Sequence, residues 1–262
     1  MDEQFLARMD CELAGASDPL ERLRRALEQN DFELYCQPIL QFAGEVRYPM
    51  AEVLVRMREE ERALLPPGEF LPIFEHYRMM PQLDRWVVRN TIKRLARGSR
   101  VRRFTINMSL QTLEDAEFPR FVAAQLSSNK VSADALAFEI DEGDILARPQ
   151  VVAQFAAACR ASGVMLLIDG FGRRSLSFAP LKALAAHFVK VDGSVTRKVV
   201  MSEVARTKLN AMLRVGEALG FQLVAECVED EDVLARLKAM GVAYAQGFGI
   251  YKPLPIDALA AA

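Results

Sequence analysis

Seven short apolar runs recur along the chain, each ending in or beside a polar side chain able to hold a cation or a phosphate. They are AEVLVR with Glu52, RFTINMS with Asn107, ALAFEID with Glu139, VMLLID with Asp169, HFVKVD with Lys190, FQLVAE with Glu226 and VAYAQG with Gln246. Six of the seven follow a stretch with helical spacing, and parallel strands separated by helices gather residues distant in sequence onto one rim of an α/β barrel. A length of 262 residues and an apolar fraction of 51% suit one such barrel.

Residues 1–16 lack apolar periodicity and read as a linker or N-terminal extension, the junction to an upstream domain. The folded domain is expected over 17–262, opening at Ser17, Asp18 and Pro19, cap candidates followed by a proline suited to a first helical turn. LERLRRALEQ continues with helical spacing and the strand DFELYCQ follows. Only about ten residues, with Pro38 and Gly44 and no helical pattern, lead to the strand in VRYPMAEVLVRM, too few for a parallel crossover. These two strands should pair antiparallel. Beyond them helix and strand alternate, with strands at 102–108, 135–140, 164–169, 187–191, 221–226 and 242–245, and Gly98, Gly163, Gly220 and Gly241 stand where helices end. The expected fold class is therefore α/β, a modified TIM-like (β/α)8 barrel with one antiparallel strand near its start, and the C-terminal IDALAAA should fray.

Charge and cysteines narrow the partners. Lysine and arginine total 33 against 35 acids, so no nucleic acid polymer is expected, and no apolar run has the length for membrane insertion. The N-terminus carries acids where a secretory signal carries positive charge. Cys11, Cys36, Cys159 and Cys227 lie far apart without paired spacing, which fits a reducing cytoplasm. The basic cluster Lys93, Arg94, Arg97, Arg100, Arg102 and Arg103 reads as a solvated helix end, Trp86 as core, and His76 and His187 as packed histidines with a satisfied hydrogen bond. Phe171 and Phe248 lie beside the rim motifs, open to packing or to contact with a ligand.

Alternation along a strand puts Glu52, Leu54 and Arg56 on one face, and Lys190 and Asp192 on another. Glu52, Asn107, Glu139, Asp169 and Glu226 supply hard oxygen donors with almost no histidine, an inventory for magnesium, manganese or calcium rather than zinc. Any one of them has a plainer reading as a cap or turn former. Together they point to an anion or metal site on the rim.

EVLVR resembles the EAL signature of cyclic di-GMP phosphodiesterases, and LYCQPIL, LDRWVV, INMS, FEIDE, IDGFG, VKVD, ECVE and QGFGIYKP follow that family's order from about residue 20 to the end. The resemblance implies that Glu52, Asn107, Glu139 and Asp169 match metal ligands, that Glu226 matches the glutamate near the metals and attacking water, and that Lys190 matches the lysine orienting that water. It places Gln37, Arg56, Asp84, Gln246 and Pro253 at guanine or phosphate positions, with Leu54 as an apolar wall, and Phe248, beside these motifs, is included among the expected ligand contacts. Glu142 matches the glutamate anchoring the loop after Asp169, and Glu229 closes the ECVE motif.

Two departures bear on activity. Active members usually read Asp-Asp-Phe-Gly and then Thr-Gly-Tyr-Ser, whereas this chain reads Asp169, Gly170, Phe171, Gly172 and then Arg173, Arg174, Ser175, Leu176. A pair of dications about 3.5–4 Å apart needs bridging and terminal anions, and glycine supplies none. Arg173 and Arg174 bring positive charge toward the second cation's place, or else extend into solvent. The valine of EVL points away from the face of Glu52 and Leu54.

The expectation is a degenerate, FimX-type member. It is catalytically inactive and receives cyclic di-GMP, relaying it to a PilZ-family protein in type IV pilus control and twitching motility. No cofactor is required, and magnesium or manganese enters only through a residual metal site. Upstream GGDEF-like or sensor domains are the companions such a domain implies. The alternatives are a slow metal-dependent cyclic di-GMP phosphodiesterase and an interaction module that has lost the ligand.

Overall fold

The computed structural model describes residues 19–58, 64–174 and 178–261, so the expectations for residues 1–16, Ser17, Asp18, Ser175 and Leu176 lie outside the described residues. The elements run α1 (Pro19–Gln29), β1 (Phe32–Gln41), β2 (Met50–Arg58), β3 (Leu64–Leu65), α2 (Pro67–His76), α3 (Met80–Ala96), β4 (Arg103–Asn107), α4 (Leu110–Leu113), α5 (Phe118–Asn129) and β5 (Leu136–Asp141). They continue α6 (Glu142–Ala147), α7 (Pro149–Ser162), β6 (Met165–Phe171), α8 (Ala179–Leu184), β7 (Phe188–Val191), α9 (Gly193–Thr196), α10 (Glu203–Leu219), β8 (Gln222–Ala225), α11 (Glu231–Ala239), β9 (Tyr244–Ala245), β10 (Leu254–Pro255) and α12 (Ile256–Ala261).

Eight strands close a barrel in the order β1, β2, β4, β5, β6, β7, β8, β9 and back to β1. β2 through β9 pair parallel around this ring, while β1 is antiparallel to both β2 and β9. The short connection after β1 therefore sets the one reversed strand, as the spacing predicts. Pro38 does not end β1, which runs on to Gln41; it sits where the strand's second edge passes from β10 at Tyr35 and Cys36 to β9 at Leu40 and Gln41. The terminal IDALAAA does not simply fray, since Ile256 is buried and heads α12.

Helices pack around the outside over the large cluster that includes Phe70, Phe74, Val88, Phe118, Phe155, Leu209 and Leu237. A second, separate cluster of Ile39, Met50, Leu167, Phe188, Val224 and Tyr244 fills the barrel interior. Five of these stand two residues before Glu52, Asp169, Lys190, Glu226 and Gln246, and Ile39 stands two residues after Gln37 on the reversed strand. Side chains two apart share a face of a strand, so an apolar floor is topped by a layer of polar side chains at the mouth.

Candidate functional site

Lys190, at the third position of β7, is 1% exposed at the middle of the mouth. Its Nζ lies 2.7 Å from Glu52 Oε2, 2.7 Å from Glu139 Oε2 and 3.6 Å from Glu226 Oε1. Asn107 Nδ2 donates to Glu52 Oε1 at 2.8 Å, and Gln246 Nε2 donates to Glu52 Oε2 at 2.7 Å and to Gln37 Oε1 at 3.1 Å. Gln37 is opposite Glu52 in the ladder and donates its own Nε2 to the Tyr251 carbonyl at 2.8 Å. Side chains on or just beyond seven strands, β1, β2, β4, β5, β7, β8 and β9, thus meet around Glu52 and Lys190.

One ammonium among several buried carboxylates cannot neutralise all of them. Burial opposes the charge on Lys190, but Glu139, Glu52, Glu226 and Asp169 overcome it and hold the ammonium well above its ordinary range. Burial likewise pushes Glu52 up, yet the Lys190 charge and the hydrogen bonds from Lys190, Asn107 and Gln246 bring it below the usual carboxylate range. Glu139 is raised well above that range by burial and then by the Glu52 charge, and Asp169 is raised chiefly by burial. Glu226 is pushed up to about 8, again first by burial. Glu139 meets Lys190 as an ion pair without hydrogen-bond geometry, and neither of its carboxylate oxygens has a hydrogen-bond partner; Asp169 Oδ1 is also buried and unpartnered.

Two clefts flank this cluster. One, of about 190 Å3, is lined by Gln37, Glu52, Glu226, Gln246 and the 62% exposed Phe248, with Arg197 and Cys227 beside them. Gly247 is needed there because a Cβ would collide with the Val228 backbone, which seats the QGFG turn directly on the ECVE segment. The other, of about 300 Å3 and mostly apolar, holds Leu54, Asp84 and Asn107. Asp84 Oδ2 accepts from Ser109 N, Ser109 Oγ and Thr112 Oγ1, so this side chain also fastens α3 to the start of α4. Arg56 is half-buried, with its guanidinium 5.4 Å from the Tyr35 ring centre and Nη1 donating to the Val55 carbonyl. Pro253, half-buried just before β10, lines neither cleft, and neither does Arg56.

The third part of the rim follows Asp169. Gly170 has φ +67°, and the β6 to β7 register shifts between Ile168 and Phe171. Glu142 accepts from Gly172 N and Arg174 N, both at 3.4 Å, and so tethers the loop. Phe171 is buried against Phe178, which makes it packing and not a ligand wall. Arg173 Nε donates to Asp192 Oδ2 at 2.9 Å and Nη1 to Asp141 Oδ2 at 3.3 Å. Arg174 points elsewhere, toward Gly143 at the start of α6, so only one of the two arginines lies at the mouth. Asp141 was the partner missed from the sequence, although it stands two residues beyond Glu139 and so on the same strand face.

The chain matches the EAL domain family over residues 20–253. It belongs to that family. It is 31% identical over 240 residues to cyclic di-GMP phosphodiesterase PdeF of Escherichia coli, covering 90% of this chain and 32% of the relative. The chain thus spans about a third of that relative's length. Among solved structures it is similar to the FimX EAL domain of Pseudomonas aeruginosa bound to c-di-GMP, with TM-score 0.83, 27% identity and 88% and 94% of the two chains covered. A structure described as PaMucR phosphodiesterase in complex with c-di-GMP matches equally well, with TM-score 0.82, 27% identity and 92% and 98% covered. Overall likeness does not separate these two, so the EAL site itself must.

A first divalent cation fits the residues present. The buried oxygens of Glu139 and Oδ1 of Asp169 accept no hydrogen bond, Glu139 Oε2 meeting only the Lys190 ammonium, and Glu52 and Asn107 bring further hard oxygens to the same rim. Among the described residues no three acids, histidines or cysteines are already grouped as a metal cage, because the Lys190 ammonium stands among the carboxylates. A second cation does not fit. Gly170 brings no ligand, and a Cβ built there would lie 2.6 Å from Arg173 Nη2 and 3.0 Å from Cζ, so a guanidinium already fills that space.

The remaining expectations are settled locally. Trp86 is core, with Nε1 bonded to Asn30 Oδ1, and His187 Nδ1 accepts from Leu166 N. His76 instead is exposed at the end of α2, which corrects the packed reading. In the basic cluster Lys93, Arg97, Arg100 and Arg102 are exposed, but Arg94, 12% exposed and paired with Asp257, and Arg103, half-buried at the start of β4 and bonded to the Asp134 carbonyl, correct the reading of a wholly solvated helix end. Cys36, Cys159 and Cys227 are free thiols, Cys36 and Cys159 pushed up to about 12 by burial. No helix among the described residues is long and apolar enough to cross a membrane.

Proposed function

We propose that this EAL domain binds cyclic di-GMP without hydrolysing it. The observation that carries the reading is the pairing of Gly170 with Arg173: the residues that the family resemblance assigns to recognition, Gln37, Leu54, Arg56, Asp84, Gln246 and Phe248, are present, while a guanidinium lies where a side chain at 170 would begin. Guanine and phosphate recognition needs positioned donors and apolar walls, whereas two-metal displacement needs both ions. Calorimetric titration should give binding, and magnesium or manganese at high protein should give no linear dinucleotide. Turnover that depends on metal would remove the inactive half of the proposal, and absence of binding would remove the receptor half.

A slow metal-dependent phosphodiesterase is the second reading, favoured by the unpartnered oxygens of Glu139 and Asp169. The FimX-type resemblance extends the receptor reading to a PilZ-family partner and type IV pilus control. That extension is tested by measuring PilZ-protein binding with and without the dinucleotide, and dinucleotide-independent absence of binding would end it.

A further inference from the structure

We propose that Arg173 is the resident cation of this rim, standing where a second divalent ion would stand and making phosphodiester binding independent of metal. The inference rests on the cyclic di-GMP reading and deepens it.

The placement is built by three elements. The bulge at Gly170 turns the chain with φ +67°, a conformation that glycine adopts without strain, and leaves its missing side chain facing the guanidinium. Asp141 is in register with Asp169 on the neighbouring strand, and Asp192 stands two residues beyond Lys190. These two carboxylates hold Nη1 and Nε of Arg173 from opposite sides, at 3.3 and 2.9 Å. The third nitrogen, Nη2, is turned to Gly170 and takes no hydrogen bond among the described residues. Asp192 is held below its usual range despite burial by its bonds from Ser194 and Arg173, so the clamp is ionic.

Two consequences follow. A guanidinium carries its charge permanently and presents donors in a planar fork that matches phosphate oxygens, so it can meet a phosphodiester with no ion bound. A side chain at 170 would stand in a backbone conformation with φ +67° that favours glycine, and it would have to displace the 52% exposed guanidinium from its place beside that residue. A carboxylate placed at 170 would pair with Arg173 and not with an ion. Restoring a second cation therefore requires changing both positions.

The test uses the whole 262-residue chain. Cyclic di-GMP is titrated calorimetrically in EDTA and in magnesium, and manganese is titrated separately by electron paramagnetic resonance. The parent should bind the dinucleotide equally in both buffers, to within about twofold, while Arg173→Gln should bind about tenfold more weakly in EDTA and Arg173→Lys lose less. Circular dichroism of each variant should match the parent. Binding by the parent that EDTA abolishes, or Arg173→Gln binding like the parent, overturns the proposal while leaving the receptor reading standing. In the manganese arm Gly170→Asp alone should gain no ion over the parent, and Gly170→Asp with Arg173→Thr should gain one. A gain by the single substitution overturns the proposal without any reference to dinucleotide. If the parent binds no dinucleotide at all, the receptor reading falls and takes the phosphodiester contact with it, and the manganese arm still decides whether Arg173 holds the cation's place.

Discussion

On the buried side of the barrel mouth, at its middle, Lys190, 1% exposed, pairs with Glu52 and Glu139 at 2.7 Å; on the solvent side Arg173, with a side chain 52% exposed, pairs with Asp192 and Asp141 at 2.9 and 3.3 Å. Both sides set one basic group among acids. They differ in solvent. The buried lysine neutralises charges that cannot otherwise be hydrated, so it is part of what allows the polar layer to exist above the apolar floor. The arginine is half exposed and its partner Asp141 is open to water, although Asp192 is only 13% exposed, so its ion pairs contribute less to folding than those of Lys190. Stability and ligand specificity are thus separable on one rim, which gives a physical reason why an EAL barrel can retain its fold and lose its second cation position.

The sharpest way to break this contrast is Lys190→Ala. Removing a buried partner leaves carboxylates uncompensated, and we expect a loss of about 3–5 kcal/mol in urea unfolding at pH 8. A loss below about 1 kcal/mol would mean that the carboxylates are already neutral or hydrated without the lysine. Next in size is pH. Glu226 binds its proton more tightly folded than unfolded, since its value is raised from 4.5 to about 8. Its contribution is therefore complete below about pH 4.5 and is lost as pH rises through 8, which predicts on the order of 1 kcal/mol less stability at pH 9 than at pH 7. Glu226→Gln should flatten that slope, and an unchanged slope would assign it to another group. Arg56→Ala should leave stability nearly unchanged and weaken cyclic di-GMP about tenfold, measured by calorimetry. Arg173→Ala should cost about 1 kcal/mol or less, because the guanidinium and its partner Asp141 are open to solvent even though Asp192 is only 13% exposed. A loss as large as that of Lys190→Ala would erase the contrast between the two sides.

The sequence made the barrel legible because the strands carry an apolar run and a polar stop, and before β4, β6, β8 and β9 a glycine, Gly98, Gly163, Gly220 or Gly241, follows the helix. The reversed β1 was legible from a connection too short for a crossover. The convergence of Glu52, Asn107, Glu139, Lys190, Glu226 and Gln246 was legible from strand ends gathered onto one rim, whereas Gln37 and the chemistry of the site came only through the family resemblance, since spacing alone left a metal or anion site open. What spacing could not supply is direction in a loop. Arg173 and Arg174 are neighbours with the same chemistry, yet the bulge at Gly170 aims one at Asp141 and Asp192 while the other leaves toward α6. The double role of Asp84, a cleft wall that also caps onto Ser109 and Thr112, was hidden for a similar reason, because its partners lie 25 and 28 residues away.

The central claim is that the rim holds its ligand without cutting it. One titration of cyclic di-GMP into the chain, with EDTA and then with magnesium or manganese, and with the nucleotide recovered from the same cell, tests it most directly. The account predicts saturable binding in both conditions and intact cyclic dinucleotide at the end. Linear product formed in proportion to added metal would contradict it.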